Sequence, residues 1–159
     1  MRQLFLFFAI SFSLAACSSA ITHAEITSSV PVSATPQTTC QPSLIQKSEN
    51  SFPEIQGTMK SEGEMWALLF FETAHTNEDE KIAWRITGEG DEFHAEARNE
   101  NGKVILPIWG PEYHGDSNWD RPGTEWGTGF NFPEPGCWKI TVTRGVTTGE
   151  ISLNVLGPQ

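Results

Sequence analysis

Basic residues are scarce in this chain: ten Lys and Arg stand against 20 Asp and Glu, a formal net charge of −10. Nucleic-acid binding and a polybasic membrane patch both need clustered Lys and Arg, so neither is expected. Catalytic signatures are also missing. There is no G-x-S-x-G elbow, no glycine loop for phosphate, and no HxH or HExxH spacing for zinc. His75, His94 and His114 are far apart in the sequence. No stretch after the N-terminus has the apolar period of a long amphipathic helix. A run long enough to span a membrane is lacking as well. Leu4–Ala16 is apolar over 13 residues, broken only by Ser11 and Ser13. At helical rise that is roughly 20 Å, short of a hydrocarbon core of about 30 Å.

That short run is informative in its own right. Arg2 precedes it and small residues end it, the order of a secretory signal. Leu14-Ala15-Ala16-Cys17 resembles the lipobox of bacterial lipoproteins. The resemblance implies a diacylglycerol thioether on Cys17 and cleavage before it, so that residues 1–16 are a signal peptide. Two acyl chains hold a protein stably at a membrane, where one does not. The expected place is a bacterial cell membrane or outer membrane, facing away from the cytoplasm. The chain left after cleavage keeps every acid and loses only Arg2, so its charge is about −11.

Only three cysteines occur. With Cys17 lipidated, Cys40 and Cys137 remain, and an exported compartment permits a disulfide between them. Closing so long a loop is worth up to about 4–5 kcal/mol in the chain-entropy treatment. Two free thiols are the alternative reading. Residues 17–50 are rich in Ser, Thr, Pro and Ala, and read as a lipidated start followed by a disordered tether, with Cys40 as a point where it is pinned.

Residues 51–159 read as one all-β domain, an immunoglobulin-like β-sandwich of about seven strands. Ile82, Trp84 and Ile86 alternate with polar neighbours, as do Trp138, Ile140 and Val142, and Ile151, Leu153 and Val155. Val104, Leu106 and Ile108 share a parity and are expected on a core face. Met65–Phe71 is apolar on both parities, as a central strand would be. Asn101-Gly102 signals a hairpin. Cys137 shares a parity with Lys139 and not with Trp138, so it should point outward.

WGTGFNFPEPGCWKITVTRG, from Trp126 to Gly145, resembles a motif of bacterial envelope lipoproteins of the YhfM type. KIAWRITGEG and GEISLNVLG are similar to the flanking strands of that domain. The resemblance covers about residues 60–157 and implies an immunoglobulin-like sandwich on a lipid anchor. It brings no activity, cofactor or catalytic residue with it.

The longest stretch without strand alternation is Trp109–Glu125, and a loop of that length is often functional. Trp109, Tyr113, Trp119 and Trp126, with His114 among them, are the candidate contact surface. The competing reading is that these rings cap an open end of the sandwich. Asp116, Asn118 and Asp120 begin like a calcium loop, but Arg121 and Gly127 stand where Gly and Glu are required. They are weak metal candidates, and no metal or other cofactor is expected. The function expected is a lipid-anchored, non-catalytic domain that binds an envelope protein, glycan or peptide. The alternatives are a hydrolase using His114 and the acids of 109–125, and a structural or accessory subunit of an envelope complex.

Overall fold

The computed structural model describes residues 41–115 and 117–159, all of them within one compact unit, Thr38–Gln159. The signal segment, Cys17, Cys40 and Asp116 lie outside the described residues. Twelve strands and no helix are found among the described residues. They are β1 (Ile45–Lys47), β2 (Pro53–Gln56), β3 (Thr58–Met59), β4 (Met65–Leu69), β5 (Ala74–His75) and β6 (Asp79–Ile86). There follow β7 (Phe93–Asn99), β8 (Val104–Ile105), β9 (Trp109–His114), β10 (Thr124–Asn131), β11 (Gly136–Arg144) and β12 (Thr147–Leu156).

The strands form two sheets, as the alternating sequence requires. The first runs β1-β2-β4-β6-β10-β9; the second runs β3-β12-β11-β7-β8, and β5 joins β12 in parallel. The alternation of Trp138, Ile140 and Val142 with Lys139 and Thr141 places the apolar set inward, against Ile151, Leu153 and Val155 of β12. From the first sheet, Ile55, Met65, Leu69, Trp84, Trp126 and Phe130 complete the core. The Asn101-Gly102 hairpin forms between β7 and β8, with Gly102 at φ 83° and its N–H donated to the Asn99 carbonyl.

Two expectations about layout need correction. The strands number twelve, not about seven, because β1, β3, β5 and β8 have only two or three residues each. Such pieces are too short to show a period, and β9 lies in the stretch read as a loop. The body also begins before residue 51. β1 pairs with β2, Ile45 facing Ile55, and the Ser43 N–H donates to the Ser152 carbonyl at 2.9 Å. Polar composition concealed this because an edge strand with all three residues exposed needs no apolar face.

Trp84 is fully buried at the centre of the core, and its indole N–H donates to the Thr128 hydroxyl at 2.8 Å. A buried donor left without an acceptor costs its desolvation. Thr128→Val keeps the shape and removes the acceptor. It should lower unfolding stability by about 1–3 kcal/mol, read as a shifted midpoint in urea with an unchanged slope.

Candidate functional site

The outer face of the first sheet is the part of the molecule that departs furthest from a plain sandwich. β4 is buried on both parities. Met65, Ala67 and Leu69 enter the main core, while Trp66 and Leu68 point the other way. A second small apolar cluster forms there from Trp66, Leu68, Ala83 and Trp119. Trp119 comes from the segment between β9 and β10, which folds back over the sheet as a strap.

A buried carboxylate anchors that strap. Glu54 of β2 stands opposite Leu68 of β4, on the outer face, and is fully buried. The Trp119 indole N–H donates to Glu54 Oε2 at 3.0 Å. Arg121 donates through Nε to Oε2 at 3.2 Å and through an η nitrogen to Oε1. Gln46 of β1 adds a bond from Nε2 at 3.2 Å. The Arg121 guanidinium also lies over the Trp66 ring, 4.2 Å from its centroid. Burial works against the Glu54 charge, but the donors from Arg121, Trp119 and Gln46 outweigh it and hold the carboxyl below its ordinary value.

This arrangement redistributes the residues proposed as a contact surface. Trp119 and Trp126 are buried. Trp119 closes the outer cluster, whereas Trp126 faces the main core, stacked on Phe93 with ring centroids 4.9 Å apart. Trp109 is half-buried, its indole lying where a Cβ on Gly129 would be. Only Tyr113 and His114 are exposed. Four rings of mixed exposure do not make one platform. Trp109–His114 is moreover a regular strand paired with β10. It went unread because Gly110, Pro111 and Glu112 interrupt any apolar alternation.

His114 sits against Gly127 of β10, its Nε2 at 3.0 Å from the place of a Cβ there. It makes no hydrogen bond with a carboxylate among the described residues. Nor do three His, Cys, Asp or Glu side chains converge on a metal-sized point among the described residues. Cys137 is half-buried, on the outward parity beside exposed Lys139, and carries no free thiol.

A different surface emerges where the chain crosses from the second sheet to the first. Val104, Leu106 and Ile108 alternate as expected, but outward: they are 40%, 68% and 51% exposed. The intervening Ile105 packs on the core instead. The pattern established that one face is apolar but not which of the two faces is covered. The stripe joins β8, the last strand of the second sheet, to β9, the last strand of the first. Exposed Tyr113 lies further along that same edge strand.

No family model matches the chain, and neither a curated protein nor a solved structure matches it.

Glu54 and Arg121 carried no signal in the sequence, where each looks like one of many solvated charges. Replacing Glu54 by Gln keeps an acceptor for Trp119 and removes the ion pair. Glu54→Gln should cost about 2–4 kcal/mol at neutral pH. Because the folded-state value is depressed, that contribution is complete above the ordinary carboxylate value of about 4.3 and fades as pH falls through the lower folded one. Urea titrations at neutral and strongly acidic pH should therefore show the gap between wild type and variant closing in acid.

Proposed function

We propose that the protein is an exported, lipid-anchored, non-catalytic interaction domain that binds an extended segment of another envelope protein along its β8–β9 side. The supporting observation is the stripe of Val104, Leu106 and Ile108. Three alternate aliphatic side chains, Val104 on β8 and Leu106 and Ile108 on the link to β9, are all exposed and form an apolar surface without cover. Sugars stack on flat rings, and two of the four rings first suggested for that role are buried. Alternate aliphatic groups suit a polypeptide, and terminal strands offer main-chain groups for strand addition.

A second copy of the chain is a poorer occupant. Three side chains, none more than 68% exposed, are far fewer than the roughly 20–30 residues a partner contributes to a standard interface. A net charge of −10 also opposes self-association. A peptide strand adds backbone bonds that make up for the small apolar area.

The N-terminal reading is supported by the short apolar run and the Leu14–Cys17 match to a lipobox: the domain would lie outside the cytoplasm on a lipidated Cys17. We include a Cys40–Cys137 disulfide in the proposal. Cys40 precedes by three residues Ser43, whose N–H and hydroxyl both bond to the Ser152 backbone. Ser152 and Asn154 of β12 stand opposite Lys139 and Cys137 of β11. The bridge would pin the start of the domain to the outward face of the second sheet.

The test is a photo-crosslinking residue at Leu106 in the full-length protein in native membranes, with Val146 as a control. Val146 is 92% exposed at the turn between β11 and β12. One defined polypeptide adduct at Leu106, absent at Val146 and lost when Ile108→Glu is added, is the expected result. A self-adduct would replace the peptide partner with a second copy, and no specific adduct would overturn the proposal.

A further inference from the structure

On the border of the sandwich away from β8 and β9, the outer edge of β12 is covered in pieces. β3 pairs with Gly149 and Glu150, and β5 pairs with Val155 and Leu156. Between them Ser152 is met by Ser43. The Ser43 N–H donates to the Ser152 carbonyl and the Ser43 hydroxyl accepts from the Ser152 N–H, both at 2.9 Å. Two stretches of chain cross between the sheets here. One leads from Ser43 into β1 of the first sheet, and the other leaves β4 of the first sheet to become β5. Where they part, a cavity of about 140 Å³ opens onto the core.

Its floor is Leu69, Ala74 and Leu153, all buried members of the main core, and half-buried Phe71 lines it as well. A void of this size is uncommon in a packed interior. These four side chains give water no polar partner, and an enclosed water needs two to four. The rim is different. Thr73 and Asn154 line it from exposed positions, and neither side chain makes a hydrogen bond among the described residues. Glu72 is the one charged residue of the lining among the described residues, and Lys47 neutralises it at 2.6 Å.

We propose that this cavity binds one small uncharged aromatic alcohol, a molecule of the size and polarity of phenol. The volume sets the size, since an apolar cavity of about 150 Å³ holds one benzene ring. The floor sets the polarity, because a charge carried into it loses its hydration without gaining a partner. A net charge of −10 further disfavours an anion. Phe71 offers an aromatic ligand a ring to pack on, and Thr73 and Asn154 offer its hydroxyl a partner at the rim. An apolar recess with a few unspent polar groups is the usual make-up of a small-molecule site. A sugar would bury hydroxyls against Leu69 and Leu153. A peptide strand has no edge to join, because Ser43 already holds the Ser152 backbone. The site is separate from the β8–β9 surface and does not depend on it.

Methyl NMR and thermal unfolding of the full-length chain carrying Cys17→Ser, which keeps lipid and detergent out of the measurement, test this with phenol, benzene and benzoate as probes. Phenol should shift the Leu69, Ala74 and Leu153 methyl signals saturably. At about ten times its dissociation constant it should raise Tm by roughly 3–8 °C. Benzoate should bind about tenfold more weakly or worse. Thr73→Val combined with Asn154→Ala removes both rim partners from exposed positions, so Tm without ligand should hold. That double variant should weaken phenol severalfold and leave benzene unchanged. Ala74→Leu fills the recess and should abolish binding of both; should it fail to fold, the double variant decides alone. Methyl shifts that do not saturate, benzoate binding as tightly as phenol, or a double variant that leaves phenol unchanged or weakens benzene equally would overturn the proposal.

Discussion

One fully buried carboxylate governs the unusual half of this fold. Glu54 sits on the outer face of a sheet, where a glutamate ordinarily reaches into water. It stays ionised there because Arg121, Trp119 and Gln46 all donate to it. The desolvation of such a charge costs several kcal/mol unless its lone pairs are satisfied, so a strap that covers Glu54 has to bring its own donors, and Trp119 and Arg121 are those donors. This interaction sets where Trp119 lies, which covers Trp66 and Leu68, and so permits β4 to be apolar on both sides.

The same constraint explains which features were legible in the sequence. Alternation in β7, β11 and β12 reports the main core because burial there is one-sided and regular. The double apolar parity of Met65–Phe71 signals cover on both faces for Met65–Leu69, the part that forms β4, but not for Phe70, which is exposed. It does not say that the second cover is a single loop tryptophan held by a salt bridge sixty-seven residues away in sequence. Glu54 and Arg121 were silent because a charge reads as solvated unless its partner is known. The stripe at Val104, Leu106 and Ile108 was visible as a face but given the wrong destination. Period alone cannot tell which face meets the core when a strand sits at the rim, and Ile105 is the residue that settles it.

Glycine placement on β10 adds a second layer of control. Gly127 and Gly129 lie on the outer face, aligned with Glu112 and Trp109 of β9. Any side chain at Gly129 would collide with the Trp109 indole, and one at Gly127 would crowd the His114 ring. The edge strand thus lays its own large side chains across the bare backbone of its neighbour, as aromatic residues do over strand glycines. That use of Trp109 is structural, and it accounts for a conspicuous aromatic without assigning it a ligand. Pro111, which has no N–H to offer a ladder, is tolerated on a terminal strand.

The apolar patch under the strap and the stripe at 104–108 both lie outside the main core, and their fates differ for a physical reason. The patch formed by Trp66, Leu68 and Ala83 lies at the middle of a sheet, flanked by strands that carry polar anchors. A nine-residue excursion between β9 and β10 can reach Glu54 and close over it. The stripe at 104–108 lies on the crossover between two sheet rims, where only two residues separate Leu106 from Trp109 of β9. No slack is available there for a second strap, and Lys103 has instead turned to Glu134 at 2.7 Å. On the proposed function, a binding partner would cover what the chain cannot cover with its own length, which puts the proposed interaction surface at the rim and not on the strapped face.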